Sequence, residues 1–179
     1  MKPHIKQFFE FLEKKENKRA PLRTKLLNPK DFEIGPEDLD VKGDLSFSQL
    51  PLQSLPNNLT VGGTLNLFRT RIKSLPNNLT VGRDLYLHYA PIESLPNTLK
   101  VKKTLALHYT LIKSLPNNLK VGRDLWLTGT PIESLPDNLT VEGDLFLPKT
   151  PLAKRKYTRE EIRSMIEEKG GYVKGKIFI

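Results

Sequence analysis

Apolar residues fall at fixed offsets in a unit of twenty residues, written LxVxxxLxLxxTxIxSLPNN. The unit begins at Leu39, Leu59, Leu79, Leu99 and Leu119, and a truncated copy begins at Leu139. The period does not slip: Leu55, Leu75, Leu95, Leu115 and Leu135 all stand in the tripeptide SLP. A strict period of this length predicts a solenoid, in which each copy forms one coil stacked on the next. In the segment DLYLH, Leu85 and Leu87 alternate with Asp84, Tyr86 and His88. Alternation of this kind puts the leucines on one side of a strand and the polar or aromatic residues on the other. Every copy keeps both leucines except the first, which has Phe47 at the second position, so these positions face inward. Equivalent segments then pair as parallel strands about 4.8 Å apart. Leu79, Val81, Ile92 and Leu95 complete the lining of that coil.

The remaining positions of the unit read as corners. Proline fixes φ in SLPNN, and asparagine suits turn geometry. Asn57, Asn77, Asn97 and Asn117 are placed to form a ladder of side-chain amides, and Thr70, Thr110, Thr130 and Thr150 a second ladder. Lys73, Glu93, Lys113 and Glu133 alternate in sign and suggest salt bridges between coils.

A solenoid exposes an apolar cross-section at each end, so the flanking segments are expected to be caps. Residues 1–38 carry Ile5, Phe8, Phe9 and Leu12 at helical spacing, then a linker rich in proline and charge at 18–31. Pro36-Glu37-Asp38-Leu39 imitates the LPNNL corner. The repeats occupy 39–152. In 153–179, Thr158 and Glu161 form a capping box, Ile162, Met165 and Ile166 form one apolar face, and Gly170 and Gly171 stop the helix. YVKGKIFI then reads as a strand or hairpin closing the end.

The phrase SLPxxLxVxxxLxLxxTxI resembles the short leucine-rich repeats of bacterial proteins, and units worded VGGxLxLxxT are similar to ones in bacteriophage-encoded proteins. The resemblance covers about residues 36–152. It implies a mainly β, leucine-rich-repeat-like parallel β-solenoid with α-helical N- and C-terminal caps. Two departures leave a more symmetrical β-solenoid open: Thr, Ala90 or Leu50 replaces the asparagine expected after LxL, and three extra residues separate LPxxL from the strand. Bacterial effectors of this kind sometimes append a cysteine-dependent ubiquitin ligase domain, for which this chain has neither cysteine nor length.

The outward positions are where the copies differ. Between the two strand leucines stand Ser46, Asn66, Tyr86, Ala106, Trp126 and Phe146. Two residues on are Ser48, Phe68, His88, His108, Thr128 and Pro148, and next to them Gln49, Arg69, Tyr89, Tyr109, Gly129 and Lys149. This predicts one exposed strip holding Phe68, Arg69, Tyr86, His88, Tyr89, His108, Tyr109 and Trp126. Such residues dominate binding hot spots, because they bury large area at low entropic cost. They also suit outward strand positions on structural grounds alone. A basic stripe runs beside them: Arg83, Lys103 and Arg123 at one repeat position, Lys100 and Lys120 three residues earlier. Asp84 and Asp124 lie nearby and offer compensation.

Charge and composition narrow the function. The net charge is +9 over 179 residues, with a bias to the C-terminal end, which favours acidic partners. Without cysteine there are no disulfides, thiolate metal sites or cysteine nucleophiles. MKPHIKQFFEFLEKKENKRA does not read as a secretory signal, and no apolar run approaches a membrane span, so a cytoplasmic location is expected. His88 and His108 alone make a poor zinc site, and no catalytic motif or cofactor fingerprint occurs. The expectation is therefore a protein without enzymatic activity, cofactor or metal. The favoured role is protein binding, as a bacterial or phage inhibitor or adaptor covering an acidic patch on a cytosolic partner. Nucleic-acid binding through the basic stripe and stacking aromatics is the alternative, and a structural part of a larger assembly the third.

Overall fold

A computed structural model describes residues 21–28 and 33–179. It is a parallel β-solenoid in which each twenty-residue coil contributes two strands of two residues. The first pair is Asp40–Val41 and Leu45–Ser46, the third is Thr80–Val81 and Leu85–Tyr86, and the last is Tyr172–Val173 and Ile177–Phe178. Equivalent strands align into two seven-stranded parallel sheets. One sheet buries the valine series from Val61 to Val141, with Val173 after it, and is called here the valine sheet. The other buries the leucine series from Leu45 to Leu145 and then Ile177, and is the leucine sheet. The alternation of LxL predicted the leucine sheet. The valine sheet was foreseen only as lining, because its single inward residue per coil shows no alternation.

Register is exact from coil to coil: Leu45, Leu65, Leu85, Leu105, Leu125, Leu145 and Ile177 stand in line. Backbone bonds continue the ladder beyond the strands. Leu85 N–H donates to Thr104 O at 2.9 Å, Leu87 to Ala106 O at 2.9 Å, and Tyr89 to His108 O at 3.2 Å. Between the sheets lies one continuous core, to which Ile72, Ile92, Ile112, Ile132 and the SLP leucines also belong. At about 1.5–3 kcal/mol per fully buried large aliphatic side chain, repetition of this lining is the main stabilising term.

The corners are built differently from the expected ladders. The amide ladder runs one residue later than expected: Asn78 Nδ2 donates to Asn58 Oδ1 at 2.9 Å, and Asn138 Nδ2 to Asn118 Oδ1 at 3.0 Å. Asn57 and Asn117 instead accept from backbone N–H groups of the next coil. Asn58, Asn78, Asn118 and Asn138 take positive φ, which asparagine tolerates. The buried threonines form no ladder either. Thr70, Thr110, Thr130 and Thr150 each donate Oγ1–H to the carbonyl three residues back, at 2.6–2.8 Å. Glu133 pairs with Arg155 at 3.6 Å, and among the described residues no ion pair joins Lys73, Glu93, Lys113 and Glu133.

At the N-terminal side, the segment read as a linker holds a short helix, α1 (Leu22–Leu27). Leu22 enters the core, and Lys25 is 1% exposed because Nζ pairs with Asp38 at 2.8 Å. A buried charge requires such a partner. Pro36–Leu39 forms a 3-10 turn in place of the LPNN corner. The helix expected over Ile5, Phe8, Phe9 and Leu12 lies outside the described residues. At the other side, α2 (Pro151–Lys154) follows the sixth coil, and α3 (Arg159–Glu168) carries the expected capping box. Thr158 N–H donates to Glu161 Oε2 at 2.7 Å, and Glu161 N–H donates to Thr158 Oγ1 at 3.2 Å. Ile162 and Ile166 are buried in the core. The final segment is no hairpin. Its two strands join the valine and leucine sheets in parallel, as a seventh rung. Among the described residues no helix is long and apolar enough to cross a membrane.

Candidate functional site: the outer face of the leucine sheet

The outer side of the leucine sheet gathers all eight residues of the predicted strip. Phe68, His88 and His108 stack in a row, with ring centroids 4.5 and 4.4 Å apart. Tyr89 and Tyr109 stack beside them at 4.9 Å, and Trp126 reaches His108 at 5.9 Å. Tyr86 meets His88 edge-on at 6.0 Å. Arg69 lies over the rings of both Phe68 and Tyr89, at 5.0 and 5.4 Å. The strip is thus contiguous, framed along the solenoid by Arg69 at one end and Lys149 at the other. Lys149 Nζ donates to the Tyr109 hydroxyl at 3.3 Å.

The strip extends further than the sequence reading took it. Trp126, Phe146 and Phe178 stack at 4.3 and 4.5 Å, so an aromatic row continues to the last strand. The sequence signal for Phe178 was the match of YVKGKIF to TVEGDLF at 140–146, which sets Phe178 against Phe146.

Backbone geometry sets a demand at the third row that most copies do not meet. Each coil leaves the leucine sheet through a turn closed by a bond from residue i+3 to residue i, as from Ala90 N–H to Leu87 O at 2.9 Å. Its third residue takes positive φ: Gln49, Arg69, Tyr89, Tyr109, Gly129 and Lys149 all do. That conformation favours glycine or asparagine. Only Gly129 obeys, at +71°, and a Cβ there would stand 2.6 Å from the Tyr109 ring. The tyrosines at +59° and +57° are held against local preference. Strain of this kind costs on the order of 1–2 kcal/mol per residue, and gathers where surrounding structure or function requires it.

The histidines are inner members of the stack. Nδ1 of both His88 and His108 is sealed from solvent without a hydrogen-bond partner. Burial, the neighbouring His108 and Arg69 push the His88 imidazole down to about 4, so it is neutral at pH 7. Burial lowers His108 as well. The two rings are nearly parallel, 16° apart, so their in-plane lone pairs run side by side and do not converge on one ion. Among the described residues no three histidine or carboxylate side chains form a group that suits a metal.

The predicted basic stripe divides. Arg83, Lys103 and Arg123 stand at the corner leading into the leucine sheet, whereas Lys100 and Lys120 lie on the outer side of the valine sheet. Arg123 pairs with Asp124 at 3.3 Å. Among the described residues no carboxylate lies within ion-pair distance of Arg83 or Lys103. Asp84 makes no ion pair with Arg83 or Lys103, and its Oδ1 accepts from Thr104 N–H at 3.0 Å. Asp44, Asp124 and Asp144 bracket the next rung in the same way, at 2.7–2.9 Å.

Compared with known proteins, the chain matches no family model and no curated protein.

Proposed function

We propose that this chain is a non-catalytic protein-interaction module of the short leucine-rich-repeat type, capped by helices at its two ends. It acts as an inhibitor or adaptor of bacterial or phage origin, and binds a cytosolic partner through the outer face of the leucine sheet. The observation that carries this reading is the contiguous aromatic strip, in which Trp126, Tyr89 and Tyr109 are 37%, 48% and 39% exposed. Large aromatics in contact with one another at a surface mark interaction sites. Arg83, Lys103 and Arg123 along one edge steer an acidic partner towards the strip. Inward leucines in every coil support the repeat type. The second sheet agrees with the more symmetrical coil that the sequence left open.

The nucleic-acid reading needs open ring faces for bases. Here Phe68, His88 and His108 stack on one another, as do Tyr89 with Tyr109 and Trp126 with Phe146, which takes up many of the ring faces. That arrangement favours a protein partner, which meets edges and hydroxyls.

Tagged protein is used to capture partners from bacterial lysate with and without nuclease, comparing wild type with Tyr86→Ala/Trp126→Ala. A nuclease-resistant protein that the double variant loses is expected. Partners that all vanish with nuclease point to nucleic acid, and a partner kept equally by the variant removes the strip from consideration.

A further inference from the structure

The last coil presents two sheet edges, and the fold treats them differently. In the valine sheet each coil offers carbonyls to the next: Val141 O accepts from Lys174 N–H and Gly143 O from Gly175 N–H, both at 2.9 Å. One coil on, the same positions are Val173 and Gly175. Their carbonyls accept from Arg163 of α3, Val173 O from Nη1 and Gly175 O from Nη2 at 2.8 Å. One guanidinium thus stands where the backbone of a further coil would.

In the leucine sheet the direction is reversed, and each coil donates to the next. Leu145 N–H donates to Lys176 O at 2.9 Å, and Leu147 N–H to Phe178 O at 2.7 Å. The equivalent donors of the last coil are the N–H groups of Ile177 and Ile179. Register turns both away from Leu145–Phe146, and among the described residues neither meets an acceptor. Unpaired edge donors of this kind are a template for another strand.

A groove runs along this open edge. Arg159, Glu160 and Arg163 of α3 form one wall and residues 175–178 the other, around a cavity of about 270 Å³. Arg159, Arg163 and Lys176 outnumber Glu160, and among the described residues none of the three is in an ion pair. The groove is therefore cationic.

We propose that the edge at Ile177–Phe178 binds an extended acidic segment of a partner protein as an added strand. Main-chain carbonyls of the segment accept from Ile177 and Ile179 N–H, and its carboxylates meet Arg159 and Lys176. The aromatic strip offers rings, whereas this edge offers backbone donors, so the two sites stand or fall separately.

Two acetylated, amidated hexapeptides serve as probes: Glu-Thr-Val-Thr-Val-Glu, and its control with Lys in place of each Glu. Binding to the whole chain is followed by nuclear magnetic resonance, through amide hydrogen exchange at Ile177 and Ile179. At about nine-tenths occupancy by the acidic peptide, exchange at both amides should slow about tenfold, because only the free fraction exchanges. The basic peptide should bind about tenfold more weakly, and Arg159→Ser/Lys176→Ser should bring the two peptides to within about twofold. Ile179→Pro deletes a donor that the fold itself leaves unpaired, and the strand conformation of Phe178 suits a following proline. Circular dichroism checks that it folds. It should weaken the acidic peptide about fivefold, the value of one hydrogen bond, while Ile179→Ala changes affinity by less than about twofold. Tyr86→Ala/Trp126→Ala should bind as wild type does. No binding of the acidic peptide up to millimolar concentration, binding that leaves exchange at both amides unchanged, or equal affinities of Ile179→Pro and Ile179→Ala would overturn the edge site. Loss of the peptide in Tyr86→Ala/Trp126→Ala would move it to the strip. Protection of both amides that grows with protein concentration alone would make the occupant a second copy. Either of these results also overturns the proposal.

Discussion

The two sheets are products of one repeat, yet their outer faces differ. The valine sheet presents Asp40, Thr60, Thr80, Lys100, Lys120 and Thr140, then Tyr172. These are ordinary polar strand residues, with one aromatic at the end. The leucine sheet presents Ser46, Asn66, Tyr86, Ala106, Trp126 and Phe146, then Phe178. Strand length, register and inward burial are alike in both. Folding therefore does not demand aromatics on the outside, since the valine sheet stacks the same number of strands largely without them. The positive-φ tyrosines sharpen the contrast. A glycine or asparagine at those positions suits the backbone better, and the chain uses tyrosine twice.

The largest effects should come from the shared interior, where the faces do not differ. Leu87 is fully buried. Leu87→Ala should cost about 2–5 kcal/mol in urea unfolding, while Thr80→Ala on the outer valine face should stay within about 0.5 kcal/mol. Comparable losses for both would mean that the core is not the main source of stability. Next comes the notch in the aromatic strip. Gly129→Ala places a Cβ at positive φ against the Tyr109 ring, and about 1–3 kcal/mol of destabilisation is expected from the unfolding midpoint. A neutral result would show that Tyr109 moves aside freely.

The converse change should be stabilising and smaller. Gln49 has φ of +62°. Gln49→Gly relieves the backbone at some cost in unfolded-state entropy, for a net gain of up to about 1 kcal/mol. A loss would indicate that the turn accepts any side chain without strain. A separate effect is the pH dependence of the strip. His88 titrates at about 4 in the fold, below its ordinary value of 6.5. The unfolded chain therefore binds more protons between these values, and stability rises with pH across that window. The contribution is complete above about pH 6.5 and is lost as pH falls through about 4. Urea midpoints at pH 7, 5 and 4 should decline for wild type and decline less for His88→Phe. Parallel slopes for the two proteins would exclude His88 as a source.

What was legible in the sequence follows from which positions repeat. The inward leucines recur in every coil, so the leucine sheet, its register and the composition of its outer rows could be read directly. The valine sheet was harder, because a two-residue strand with one inward valine per coil carries no alternation. Asp124 pairs with Arg123, as its place beside the basic stripe suggested, whereas Asp84 pairs with no member of the stripe; both also accept from backbone N–H groups one coil on, a contact that no spacing along the chain reveals. Buried Lys25 was hidden for a similar reason: in a charged stretch it reads as solvated, and only the fold brings Asp38 to it. Positive φ at Tyr89 and Tyr109 was obscured because five of the six copies carry side chains that give no hint of it.

The central claim is that the leucine face, and not the valine face, meets the partner. The most direct measurement is the affinity of the captured partner protein for two variants of equal size, Tyr86→Ala/Trp126→Ala on the leucine face and Thr80→Ala/Lys120→Ala on the valine face. The account predicts that the first weakens binding by about a thousandfold, at about 2 kcal/mol for each of two hot-spot aromatics, and that the second changes it by less than about threefold. Equal losses, or a loss confined to the valine face, would contradict it.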